Sequence, residues 1–135
     1  MLRPYVLLHQ ARPSHQILLH QACNALGIFN VRVACDIPDL HACLAREGVV
    51  DLLILDPAMA RDCALTLLER LEGKARAPAI MFVGSAGDQG RARLAGQARE
   101  RGLNVVAELA WPLPIRHWQQ ALKCIQTVTS APHAH

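Results

Sequence analysis

Aromatic residues are scarce in this chain, 4% of 135 residues, although 52% are hydrophobic. An interior built without them must be aliphatic, from Leu, Val, Ile and Ala. No apolar run approaches the ~20 residues needed to cross a membrane. The start, Met1-Leu2-Arg3-Pro4, does not resemble a signal peptide, because a strand-like segment comes at once after it. The expectation is a soluble, cytoplasmic protein with no membrane partner. A strong charge of either sign is also missing. The formal net charge is +3, short of the basic bias of nucleic-acid binders, so nucleic acid is not an expected partner. The five cysteines, Cys23, Cys35, Cys43, Cys63 and Cys124, are odd in number and form no CxxC. They are expected to be reduced and mostly buried, and no metal site is expected from them. There is no internal repeat and no linker, so the length suits one domain.

What is present is organised around Val49-Val50-Asp51-Leu52-Leu53-Ile54-Leu55-Asp56-Pro57. Four apolar residues stand unbroken between two carboxylates. The run suits a strand buried on both faces, at the centre of a parallel sheet. Asp56 then falls at its carboxyl end, where open α/β sheets place their chemistry, and Pro57 turns the chain.

The rest of the chain alternates strand with helix. Tyr5 to Leu8 reads as the first strand, and Pro13-Ser14 can open a helix. Apolar residues from Ile17 to Leu26 recur at helical spacing, and Gly27 is a natural stop. Phe29 to Cys35 alternates, as an edge strand does. Asp39 is expected to cap a second helix whose inner face is Leu40, Cys43 and Leu44. A third helix is expected over 58–71. Ala77 to Val83 is a second unbroken apolar strand, with a glycine-bearing loop after it and a fourth helix from Asp88 to Arg101. Leu103 to Leu109 is the fifth strand, Trp111-Pro112-Leu113-Pro114 a rigid turn, and Ile115 to Val128 the closing helix. Five such units imply an α/β fold with helices on both faces of a parallel sheet.

Five units of this length resemble the receiver domain of two-component response regulators. Asp51 through Met59 is similar to the family's strand bearing the phosphoryl-accepting aspartate, with Asp56 as the acceptor. Ala34-Cys35-Asp36, Pro78-Ala79-Ile80-Met81-Phe82, and Gly102-Leu103-Asn104-Val105-Val106 through Trp111-Pro112-Leu113 resemble its second strand and turn, its fourth strand, and its fifth strand and loop. The resemblance covers residues 1–129 and leaves 130–135 as a disordered tail. It implies a flavodoxin-like (βα)5 doubly wound sandwich with a five-stranded parallel sheet in the order 2-1-3-4-5. It also implies a non-enzymatic signalling role, with other signalling proteins or an effector domain as partners.

The departures from the family pattern bear on function. Where the family has two acidic residues that hold Mg²⁺, this chain has His9 and Gln10. Where the family has Thr or Ser after its fourth strand, this chain has Val83, and Gly84 and Ser85 come next. Trp111 replaces the family's Lys, and Glu108 its aromatic switch residue. Acyl phosphate formation brings negative charges together and needs a hard cation to offset them. His is a poor ligand for Mg²⁺. The reading is therefore a degenerate receiver, or pseudo-receiver, that needs no cofactor and works by protein contact.

Two alternatives stand beside it: a receiver still phosphorylated on Asp56 with Mg²⁺, and a small flavodoxin-like nucleotide- or ligand-binding protein using Gly84, Gly87 and Gly90. The bland reading of Asp56 is a carboxylate bonded to backbone N–H groups or to Gln10. His9 and Asp56 form a candidate charge pair. The pocket is expected to comprise His9, Gln10, Val83, Gly84, Ser85 and Trp111 around Asp56. Arg91, Arg99, Glu108 and Trp118 are candidates for a contact or homodimer face over the fourth helix, fifth strand and fifth helix. Trp118 reads equally as core, and the arginines of the fourth helix as a solvated face.

Overall fold

The computed structural model describes residues 4–46, 49–84 and 87–130, with side chains except at 87–89 and 126–130. The elements are β1 Val6–Leu8, α1 Pro13–Asn24, β2 Val31–Val33, α2 Ile37–Arg46, β3 Leu52–Leu55, α3 Arg61–Glu72, β4 Ala79–Val83, α4 Gly87–Glu100, β5 Val105–Leu109 and α5 Ile115–Ser130. All strand pairs are parallel, and the sheet order is β2-β1-β3-β4-β5. The expected fold is the one observed. Of the expected tail 130–135, Ser130 is the last residue of α5, and 131–135 lie outside the described residues, as does Ser85.

The unbroken apolar strands result from a sheet covered on both sides. Leu53 and Leu55 of β3, with Ile80 and Phe82 of β4, pack against α2, α3 and α4. Their neighbours Leu52, Ile54, Met81 and Val83 point the other way, against α1 and α5. Register pairs Leu55 with Phe82 and Val83 with Leu109, and a bulge interrupts the β4–β5 ladder between Ile80 and Met81. β2 is an edge strand, with Arg32 exposed between half-buried Val31 and Val33.

Local signals account for most helix ends. Gly27 and Gly102 both adopt φ near +80°. Behind each, the chain closes with paired bonds: Gly27 N–H to Asn24 O and Ile28 N–H to Cys23 O, then Gly102 N–H to Arg99 O and Leu103 N–H to Ala98 O. These are Schellman closures, which need a left-handed residue. The cap of α2 differs from expectation. Asp36, not Asp39, accepts the first-turn N–H, from Asp39 at 2.7 Å. Asp39 reaches back to the Cys35 N–H at 2.9 Å. That backbone bond holds the Asp39 carboxyl below its ordinary range. α3 begins at Arg61 instead of residue 58, because Ala58 and Met59 form the turn that closes back on Asp56.

One face of α1 is less buried than its composition suggests. Leu19 and Cys23 are buried, while Ile17 and Leu18 are exposed. A helix laid on a sheet can bury only one stripe, and α1 is apolar around more of its circumference than that. Trp118 is a core residue, 1% exposed. Its indole N–H donates to Ala22 O at 3.4 Å and ties α5 to α1. The expectation that cysteines are mostly buried needs correcting too. All five are free, and Cys23 and Cys43 are buried, but Cys63 is half-buried and Cys35 and Cys124 are exposed.

Candidate functional site

Asp56 stands directly after β3 and is 8% exposed. Its Oδ2 accepts the Ala11 N–H at 3.0 Å, and its Oδ1 accepts the Ala58 N–H at 2.9 Å. Each oxygen is thus met by a backbone donor, one from the loop after β1 and one from the turn after β3. Gly84, just past β4, completes the surround. A Cβ there would lie 3.0 Å from Asp56 Oδ1 and 3.0 Å from Pro57 Cδ, and φ is +142°. Only glycine lets the backbone pass so close to the carboxylate in that conformation.

A cavity of about 350 Å³ opens beside this carboxylate, lined by Ala11, Arg12, His15, Asp56, Ala58, Gly84 and Trp111. Arg12 is the N-cap residue of α1, and Pro13 occupies the first helical position, where its missing N–H costs nothing. One turn of helix brings His15 over Trp111, with ring centroids 4.1 Å apart and planes inclined 21°. The Trp111 Nε1 is buried with no hydrogen-bond partner among the described residues. Trp111 precedes Pro112 through a cis peptide.

The structure redistributes the expected pocket. Asp56, Gly84 and Trp111 do meet at the cavity, but His9, Gln10 and Val83 do not line it. The His9 Nδ1 lies 3.0 Å from Ala34 O, and the candidate pair with Asp56 is not among the ion pairs of the described residues. Gln10 is 1% exposed and donates to Val83 O at 3.1 Å instead of bonding Asp56. Its Oε1 has no partner among the described residues. Val83 is fully buried in the core facing α1 and α5. Of the bland reading of Asp56, the backbone N–H bonds are present and the bond to Gln10 is not.

Arg12 and His15 were missed by sequence reasoning. The available signal was position: both stand at the start of the helix after β1, at the same sheet edge as Asp56.

The candidate contact residues are placed at different depths. Arg91 donates to Gly84 O at 3.2 Å, so it braces the loop after β4. Arg99 of α4 bridges Glu108 of β5 at 3.0 Å, with side chains 51% and 24% exposed. Trp118, being buried, offers nothing to a partner. The basic residues of α4 and just beyond it have separate tasks: Arg101, one residue past the helix, pairs with Glu72 at 2.9 Å, and Arg93 lines a separate cavity of about 200 Å³ beside Arg61 of α3. The alanines Ala95 and Ala98 are buried against the sheet.

The donor set at Asp56 does not fit Mg²⁺. That ion takes six oxygens in near-octahedral geometry and favours carboxylates. Among the described residues, Asp56 is the one carboxylate lining this cavity, and Arg12 lines it as well. Among the described residues, no three His, Cys, Asp or Glu side chains are grouped to hold a metal. Of the glycine loop, Gly84 lies against the Asp56 carboxylate, and residues 85 and 86 lie outside the described residues.

No protein-family model matches the sequence, and no curated protein matches it. Solved structures do. A signal receiver domain of an HD domain-containing protein from Pseudomonas fluorescens Pf-5 is 21% identical at a TM-score of 0.76, covering 96% of this chain and 99% of that one. A response regulator from Colwellia psychrerythraea is 16% identical at 0.75, covering 93% and 98%. Full-length FixJ from B. japonicum is 15% identical at 0.74, covering 97% of this chain and 61% of that one. At such identities the likeness is one of fold. The chain has the fold of response-regulator receiver domains, as the sequence resemblance implied. No helix among the described residues is long and apolar enough to cross a membrane.

Proposed function

We propose that the chain is a receiver-like signalling module that works by contact with other signalling proteins or an effector domain. It is not an enzyme, and Asp56 does not accept a phosphoryl group by the Mg²⁺-dependent route. The observation that supports this reading is the surround of Asp56. Two backbone N–H groups take its oxygens, and Arg12 lines the same cavity. The side chains at the positions of the family's acidic pair are bonded elsewhere, to Ala34 O and Val83 O. A phosphoryl donor approaching Asp56 needs a divalent ion to offset the mutual repulsion, and among the described residues no second carboxylate lines the cavity to help hold one. The contact face is α4–β5–α5, with Arg99 and Glu108 on its surface and Trp118 removed from it.

The test is intact-mass measurement after treatment with acetyl phosphate and Mg²⁺. No phosphoryl adduct is expected. Stoichiometric modification that disappears in Asp56→Asn would overturn the reading and restore a phosphorylated receiver.

A further inference from the structure

The cavity at the strand ends carries charge of both signs, and the two do not meet. Asp56 and Arg12 both line it, yet the ion pairs seen among the described residues, Arg99–Glu108 and Arg101–Glu72, lie elsewhere. Asp56 is more than nine-tenths buried and held by neutral backbone donors. A carboxylate so placed is held by hydrogen bonds alone, with no cationic side chain paired to it among the described residues. Each of its oxygens accepts one N–H and retains capacity for another donor. Gly84 packs against Oδ1 on one side, and the carboxylate residue still lines the cavity on the other. Arg12 contributes a guanidinium that is always charged and matches a carboxylate in two-pronged fashion. The stacked His15 and Trp111 rings supply a flat wall.

The charge complement of such a wall is a ligand with one cation and one anion. We propose that the cavity is a binding site for a small zwitterion of the α-amino-acid class. Its ammonium group meets Asp56, its carboxylate meets Arg12, and its side chain lies against the Trp111–His15 stack. The volume of about 350 Å³ falls at the small end of ligand pockets, roughly 300–1,000 Å³. This inference rests on the receiver-like reading, in which no phosphoryl group occupies the site, and it gives that module its input.

The experiment is isothermal titration of the whole chain with a panel of proteinogenic L-amino acids, with putrescine and succinate as single-sign probes. At least one amino acid is expected to bind saturably. Arg12→Ala and Asp56→Asn should each weaken that binding about tenfold or more, and both single-sign probes should bind about tenfold or more weakly than the amino acid. Three results each overturn the proposal: no saturable binding by any amino acid up to about 10 mM, Arg12→Ala binding as the wild type does, or putrescine binding as tightly as the amino acid. If circular dichroism shows that Asp56→Asn does not fold, Arg12→Ala decides, since Arg12 is exposed. Absent binding together with absent phosphorylation removes this inference alone. Phosphorylation of Asp56 removes the reading beneath it.

Discussion

Replacing Asp56 by Asn tests the surround of the carboxylate through the sign of the stability change. In a site crowded with acidic side chains, neutralising one relieves repulsion and stabilises the fold. Here, among the described residues, Asp56 is the one carboxylate lining its cavity, and both its oxygens accept backbone N–H groups, from Ala11 at 3.0 Å and Ala58 at 2.9 Å. Asn has one acceptor oxygen. Its NH₂ must therefore face one of those two N–H groups, donor against donor. The variant loses one hydrogen bond to a charged acceptor and leaves a backbone donor without a partner. That loss is worth about 1.5–3 kcal/mol. Because Asp56 is 8% exposed, water does little to reduce it. At roughly 2–8 °C of Tm per kcal/mol for domains of this general size, the shift is readily measured. Urea or calorimetric unfolding at neutral pH should show Asp56→Asn less stable than the wild type. Equal or greater stability would refute the reasoning, because it would mean that negative charge near Asp56 outweighs its hydrogen bonds.

Other parts of the chain give further expected outcomes. Trp118→Ala should cost about 3–5 kcal/mol, as for a large buried aromatic, and a loss under about 1 kcal/mol on urea unfolding would contradict its place between α5 and α1. Asp36→Ala should cost about 0.5–2 kcal/mol by removing the α2 cap, and Asp39 amide exchange should rise with it; an unchanged exchange rate would return the cap to Asp39. Burial pushes the Cys23 thiol up to about 12, so at about pH 8 a thiol reagent should label exposed Cys35 and Cys124 first and reach Cys23 only on unfolding. Burial, and then the charge of Arg70, lower the His41 pKa from 6.5. The unfolded chain therefore binds that proton more readily. The stability is fully present above about pH 6.5 and falls as pH drops through the folded value. His41→Gln should flatten this part of the pH profile, and an unaltered slope would show that the titration belongs elsewhere.

The fold was legible because its strongest signals are two-sided. β3 and β4 read as unbroken apolar runs for the reason that both their faces are covered, and β2 alternates because it stands at the edge. The burial of Trp118 was not settled by the sequence, which left it open between core and contact face; the structure packs it with Ala121, Leu122 and Ile125 on the inner face of α5. The site was only half legible. Alignment by motif located Asp56, Gly84 and Trp111 at one sheet edge, since they sit at the ends of β3, β4 and β5. It could not give side-chain direction in the loop after β1. There the Gln10 amide turns under Val83 O, the His9 ring turns to Ala34 O, and the group that reaches Asp56 is the backbone of Ala11. Backbone donors carry no sequence signature, so no reading of side chains could have found that contact. Arg12 and His15 reach the cavity through the first turn of α1, a placement set by where Pro13 starts the helix.

The two carboxylates that bracket β3 suggest why Asp56 stands where it does without its usual companions. Asp51, at the entry to the strand, accepts the Tyr5 N–H at 2.7 Å, just before β1. Asp56, at the exit, accepts the Ala11 N–H at 3.0 Å, just after β1. The pair therefore fastens both flanks of β1 to both ends of β3, in addition to the backbone bonds from Asp51 and Leu52 N–H to Tyr5 O at the entry. A hydrogen bond to a charged acceptor is among the stronger single bonds a loop can make, and at Asp56 it needs neither metal nor phosphoryl group. Fastening the loop in this way also sets the position of the first turn of α1. Arg12 and His15 are held at the mouth of the same cavity because Ala11 is held on Asp56. The carboxylate that orders the loop is thus the one that faces any ligand entering there, and occupancy of the cavity would be felt first by the β1–α1 connection and by α1 behind it.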